Sequence, residues 1–465
     1  MNPNPPTRNV VRLLLVAFTM LVLTANVSAE WNEKVLYSFQ GGNDGLTPAG
    51  GVVFDKLGNL YGTTSAGGTV CPSPGCGIVF EVSPPNQKDG AWTESVIYAF
   101  KGVQGGLGDG FTPVGGLIID QEGNLYGTTS LGGDGPCVLF GSPTGCGTVF
   151  KLAPPSQKGG KWTETILYNF QGGTDGYFSW GDLVLDSYGN LYGATQFGGG
   201  RGNICNLYFG GNCGTVFKLT PPTQKGGKWT EKILHSFAAG TDGANPNGYL
   251  ALDGNGAVYG LTNAGGNQNC NYGSGQVGCG TAFKLNPPIK KGSSWTEAVI
   301  HRFGSTGSND GGVPMAGVVL DVKGRLYGTT LNGGPQSGGI VFCLARPSTQ
   351  SHSWRETILY GFNGKEGGFN PEGKVVLDGS GRLYGTTSVG HGGELRGSVF
   401  RLKPPQKNGG TWSVSYLHGF TGIPDGMFPA AAPIFDKAGP LYSTTQQGGT
   451  GACPGGCGTV FQVSP

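Results

Sequence analysis

Residues 161–176 read KWTETILYNFQGGTDG, and the same unit continues through DLVLDSYGNLYGAT at 182–195 to CGTVFKLTPP at 213–222. Thr163 to Phe170 alternates its side chains over a strand-length run rich in Thr, Ile, Tyr and Phe. Asp182 to Asp186 is a short apolar run, and Asn190 to Thr195 and Gly214 to Thr220 supply two further strand signals. Working outward, the unit recurs seven times, each copy opening on a tryptophan: Trp31, Trp92, Trp162, Trp229, Trp295, Trp354 and Trp412. The spacings are 61, 70, 67, 66, 59 and 58 residues. Four short strands per copy, bounded by Gly and Pro, predict an all-β, seven-bladed β-propeller with four-stranded blades.

The order of strands predicts how the ring closes. Suppose each blade runs from the axis outward as GGVVFD, NLYGTT, GTVFKL and then the WTETILYNF strand of the next copy. The last copy then has three strands, and Trp31 to Phe39 is left to complete it. That closure removes the unpaired edges of an open array. Between the first two strands every copy carries Asp-x-x-Gly: Asp55/Gly58, Asp120/Gly123, Asp186/Gly189, Asp253/Gly256, Asp321/Gly324, Asp378/Gly381 and Asp436/Gly439. Asp first and Gly fourth suit a type I turn, with the carboxylate accepting backbone N–H groups. These turns and the PPTQKGGKW-type connections share one face. The GGTDGANP-type loops and the long Cys-containing loops share the other, where length and variability concentrate.

Gly and Pro make up 92 and 30 of 465 residues, which without a period would suggest disorder. Residues 1–29 have the three parts of a secretory signal: Arg8 and Arg12, an apolar run from Leu13 to Leu23, and Val27-Ser28-Ala29. The run is shorter than the about 20 residues of a membrane span, so cleavage after Ala29, no stable membrane insertion and a single propeller domain over 30–465 are expected. The mature chain has 28 basic and 28 acidic residues, which gives nucleic acid no electrostatic hold.

Ten of the eleven cysteines fall in local pairs: Cys71/Cys76, Cys137/Cys146, Cys205/Cys213, Cys270/Cys279 and Cys453/Cys457. In an exported protein these read as short disulfides stapling one loop each. No His recurs beside the pairs to suggest zinc. Cys343 is left as a free thiol at a strand position.

Two sets of residues are candidates for ligand binding. Six copies place Asp-Gly at the entry to the innermost strand, at Asp44, Asp109, Asp175, Asp242, Asp310 and Asp425, while the sixth copy has Gly367 beside Glu366. In a ring these carboxylates are expected in a circle near the channel mouth, where they suit Ca²⁺ or sugar hydroxyls; the alternative is that Asp-Gly only makes the bend between blades. No other metal or cofactor is expected. The second set breaks the repeat. The third copy has Tyr177-Phe178-Ser179-Trp180 in place of the Pro-containing loop, with Phe197, Arg201, Tyr208 and Phe209 in the neighbouring loop. Phe111, Phe140 and Tyr272 add aromatics to two other copies. Such rings beside Asp and Asn suit stacking against sugars, or else packing within their own loops.

Catalytic constellations are scarce. His235, His301 and His418 occupy the repeat position held by Tyr37, Tyr98, Tyr168 and Tyr360 elsewhere, which leaves His352 and His391, the latter near Glu394 and Arg396. G-x-S-x-G, phosphate-loop and HExxH motifs do not occur. Paired carboxylates from the Asp set are the one route to glycan cleavage.

The strings GNLYGTT, CGTVFKL and WTETILYNFQGGTDG, recurring in fixed order over Trp31 to Pro465, resemble the GloVer tandem repeat of bacterial secreted and surface proteins. The resemblance implies export and repeated β architecture, and it carries no catalytic residues. Many relatives end in a surface anchor, whereas this chain ends at Gln462-Val463-Ser464-Pro465. The expectation is a secreted, monomeric bacterial propeller that binds an extracellular glycan, or a surface protein, on its long-loop face. The alternatives are a glycan lyase or hydrolase, and a structural envelope or adhesion protein.

Overall fold

The structure is a computed structural model. It describes residues 31–465 except 70, 88–89, 103–107, 140, 158, 201–212, 268–269, 271–277, 291, 305–308, 349–352, 365–367, 391–395, 408 and 437. Residues 1–29, where a signal segment is expected, lie outside the described residues, as do Cys205, Phe140, Arg201, Tyr208, Phe209, Tyr272, Glu366, Gly367, His352, His391 and Glu394.

Seven four-stranded antiparallel blades form the ring. The first runs outward through Val53–Phe54, Leu60–Thr64, Ile78–Ser83 and Thr93–Ala99. Only two residues pair in each innermost strand, because the segments before them crowd the axis. A Cβ on Gly115 would lie 2.3 Å from Gly181, and one on Gly181 would lie 2.8 Å from Gly248. The LYGTT strand is buried along its whole length. Its glycine is required by a close approach, since a Cβ on Gly62 would stand 2.5 Å from the Phe80 ring on the next strand.

The ring closes as expected. Asn32–Ser38 pairs antiparallel with Thr459–Ser464 and completes the seventh blade. The hydroxyl of Thr444 in that blade donates to Gly50 O at 2.9 Å, as Thr63 does to Gly115 O at 2.8 Å between the first and second blades. All seven junctions also share an aromatic contact: the Phe ending one outermost strand meets the Phe of the third strand in the next blade. Phe39–Phe80 at 5.0 Å and Phe100–Phe150 at 5.1 Å are examples. Each such pair adds about 0.5–1.5 kcal/mol beyond its buried area.

The Asp-x-x-Gly turns form as read. Asp120 accepts from Glu122 N, Asn124 N and Asn124 Nδ2 at 3.0, 2.8 and 2.7 Å, and from Tyr126 Oη at 2.9 Å. Burial works against its ionisation, but these four donors outweigh it and hold the carboxyl below its usual range.

Cys71–Cys76, Cys137–Cys146, Cys270–Cys279 and Cys453–Cys457 are disulfides. Cys213 is also disulfide-bonded, and Cys343 is a buried free thiol. Among the described residues no helix is long and apolar enough to cross a membrane.

Candidate functional site

The six Asp-Gly carboxylates do not ring the channel mouth. Each stands at a separate blade junction, over the outermost strands. Asp44 accepts from Tyr37 Oη at 2.7 Å, Asp175 from Tyr168 Oη at 2.8 Å, and Asp109 from Tyr98 Oη. Where His replaces Tyr, His235 Nε2 lies 3.3 Å from both oxygens of Asp242, and His418 Nε2 lies 3.2 Å from Asp425. A backbone N–H reinforces most of them, such as Lys101 N on Asp109 at 2.8 Å and Ala238 N on Asp242 at 2.7 Å. With each carboxylate committed to its own junction, several of them cannot share one Ca²⁺ in the channel.

A second carboxyl meets each of these, and sequence reasoning missed it. The outermost strand of the following blade contributes Glu94 to Asp44, Glu164 to Asp109, Glu231 to Asp175, Glu297 to Asp242, Glu356 to Asp310 and Glu33 to Asp425. Burial, and then the facing Asp, push Glu94 and Glu231 up to about 8 and Glu33 and Glu164 to about 7. The signal was present one copy out of phase. The sixth copy has Gly367 for Asp, and the seventh copy has Val414 where the others have Glu. At that junction Tyr360 Oη meets Tyr416 Oη at 3.1 Å instead.

One strand supplies both its junctions because it is bulged. Glu94 and Tyr98 are four residues apart, and simple alternation would put them on one face. The register shifts between Val79 and Phe80, which pair with Tyr98 and Val96 respectively. The extra residue turns Tyr98 and Phe100 toward the next blade while Trp92 and Glu94 face the previous one. The same shift occurs in all seven outermost pairings.

The residues that break the repeat converge on the axis. Every copy has a left-handed residue at the end of the Asp-Gly loop: Thr47, Thr112, Phe178, Asn245, Val313, Asn370 and Phe428, with φ from 54 to 62°. Its N–H is tied to the preceding blade, as Phe178 N is to Cys146 O at 3.2 Å. The chain then enters the channel. Phe178 stacks on Trp180 at 5.7 Å and 29° and meets Phe197 at 5.7 Å. Both Phe178 and Trp180 are half-buried. Tyr177 packs on Phe197 at 5.4 Å and against the core around Phe170 and Leu183. It packs between blades, and like Phe178 and Trp180 it is only partly buried.

Two positions after Trp180 comes Asp182, where other copies have Gly51, Gly116, Tyr249, Gly317, Lys374 and Ala432. Asp182 accepts from Gly116 N at 2.6 Å. Deep placement raises its pKa, opposed by Lys374 from across the ring and by that N–H. Tyr249 is pushed up by burial and by the charges of Asp182 and Glu372. Burial also raises Glu372, which accepts from Ser388 Oγ at 2.8 Å. Asp182, Tyr249, Glu372 and Lys374 thus form a polar group near the ring axis. Their signal in the sequence is a departure from the usual small residues at the Gly-Gly step, which is fainter than that of the neighbouring aromatics.

On the opposite face a cavity of about 1770 Å³ opens among the Asp-x-x-Gly turns of the seventh, first, second and third blades. Trp92, Trp229 and Pro221 border it. Of its carboxylates, Asp55, Asp120, Asp186 and Asp436 are engaged by their own turns.

The fold defines a seven-bladed propeller with a polar, aromatic-capped channel. Residues 137–367 match the family model of the Gloeobacter/Verrucomicrobia repeat, in agreement with the resemblance of the motifs. No curated protein matches it. Among solved structures, a candidate 6-phosphogluconolactonase from Bacteroides uniformis is similar at 12% identity, covering 78% of this chain and 84% of that one, with a TM-score of 0.46. A candidate glucose-dehydrogenase-type oxidoreductase from Thermus thermophilus shares 15% identity over 93% of this chain and 100% of its own, at 0.41. A fungal alcohol oxidase in complex with copper shares 15% identity over 93% and 76%, at 0.49. TM-scores this low carry no argument about function.

Proposed function

We propose that this chain is an exported propeller that binds a polysaccharide at the channel mouth on its long-loop face. The observation that carries the reading is the partly exposed Phe178–Trp180 stack, two residues before Asp182 in the chain. Stacked rings supply an apolar platform for a sugar face, and adjacent carboxyl, phenol and ammonium groups suit hydroxyls. Tyr249, Glu372 and Lys374 extend that polar surface into the channel. The disulfides agree with an oxidising compartment outside the cytoplasm, and cleavage after Ala29 is the export step proposed.

The test is a binding and degradation screen of the secreted protein against a polysaccharide panel. Trp180→Ala is expected to weaken binding by roughly 0.5–1.5 kcal/mol or more, the scale of one aromatic contact, with no release of reducing or unsaturated sugar ends by either protein. Unchanged affinity in Trp180→Ala overturns the platform. The second reading, a glycan-cleaving enzyme, draws on the two channel carboxyls Asp182 and Glu372, both shifted toward the protonated form. Sugar release that disappears in Asp182→Asn or Glu372→Gln would establish it.

A further inference from the structure

Three junctions carry His at the Tyr position, and they are not equivalent. At the third-to-fourth junction His235 Nε2 is shared between both oxygens of Asp242 at 3.3 Å. At the sixth-to-seventh, Glu33, His418 and Asp425 form a comparable trio, but there His418 Nε2 is hydrogen-bonded to Asp425 at 3.2 Å, and Asp425 also accepts from Thr421 N at 2.9 Å. At the fourth-to-fifth, His301 Nε2 lies 3.5 Å from Asp310 Oδ2 and 3.6 Å from Glu356 Oε1. There the ring nitrogen and Glu356 Oε1 are both buried and neither has a hydrogen-bond partner. The Asp310 side chain is fully buried.

We propose that the fourth-to-fifth blade junction is a divalent transition-metal site, with His301 Nε2, Asp310 Oδ2 and Glu356 Oε1 as ligands and Zn²⁺ as the ion it suits. The three atoms lie within 4.8 Å of one another. Separations of 3.5 and 3.6 Å are too long for good N–H···O bonds. They are close to the about 3.4 Å edge of a tetrahedron with metal–ligand bonds of about 2.1 Å. An imidazole with two carboxylates selects Zn²⁺-like ions over Ca²⁺ and Mg²⁺, which take oxygen ligands.

The scaffold holds all three groups in place. His301 packs edge-on against Phe303 at 4.8 Å, Asp310 Oδ1 accepts from Gly311 N at 2.7 Å, and the Asp310 and Glu356 side chains are hydrogen-bonded to each other. Glu356 sits on a strand paired along its length with Ile340–Ala345. Three protein ligands leave a fourth position for water, and the ion joins two neighbouring blades.

The test uses the full exported chain. Protein stripped with a chelator is dialysed against Zn²⁺, its metal content is measured after gel filtration, and Co²⁺ is added to a second sample for its visible absorption. The expected result is one Zn²⁺ per chain and a Co²⁺ band typical of low coordination. Both should be lost in His301→Tyr and in Glu356→Gln, and kept in His418→Tyr. His301→Tyr restores the residue found beside Asp44, Asp109 and Asp175, so folding, checked by thermal melting, should survive. Absence of bound metal overturns the proposal. Metal retained in His301→Tyr, or lost equally in His418→Tyr, overturns it too.

Discussion

Glu94 shows how one side chain joins two blades at a thermodynamic cost that depends on pH. Its carboxyl is raised from 4.5 to about 8, by burial first and by Asp44 second. Below its ordinary value both folded and unfolded chains carry the proton, and nothing is lost. Between 4.5 and about 8 the unfolded chain releases a proton that the folded chain keeps, so stability falls as pH rises through that window. Above it the full cost persists. A neutral amide can still donate to Asp44, so Glu94→Gln is expected to melt with the parent at acidic pH and above it in alkaline buffer. Melting curves across the window check this. A variant that tracks its parent throughout would show that the Glu–Asp contact is not what titrates. The fifth-to-sixth junction agrees with this coupling, since Val414 replaces the Glu where Gly367 replaces the Asp.

At the scale of the element, the bulged outermost strand determines how neighbouring blades interlock. Its final Phe crosses into the next blade, where Phe100 is fully buried against Phe150 beside Leu117, Leu125 and Leu152. Phe100→Ala removes a ring from a wall that cannot collapse, because both blades are hydrogen-bonded sheets. A loss of about 3–5 kcal/mol is expected, read from the denaturant midpoint of unfolding. A loss below about 1 kcal/mol would mean that the junction repacks. The strand was legible as a strand, but its bulge was not. Thr93 to Ala99 carries no Gly or Pro to mark the extra residue, and the register shift arises only where the strand meets its partner.

For the whole molecule, closure rests on residues 31–39. They complete the seventh blade and place Trp31, Glu33 and Phe39 in its two junctions. Deleting them leaves Thr459–Ser464 as a bare edge and strips Phe80 of its partner. The deleted protein is expected to melt well below the parent, or to associate through the open edge. An unchanged melting temperature in a monomeric protein would argue against closure by this strand.

What the sequence determined by itself is whatever recurs. Copy number, strand order, the Asp-x-x-Gly turns and the leftover N-terminal strand are local patterns repeated until the period is unmistakable, and the ring follows from them. The tertiary structure decided which side chains meet. Glu94 finds Asp44 across a junction, and Asp182 finds Lys374 across the channel. Neither encounter has a fixed spacing along the chain. The first depends on the bulge that reverses a strand face, and the second on a ring so tight at its axis that single departures from Gly come together.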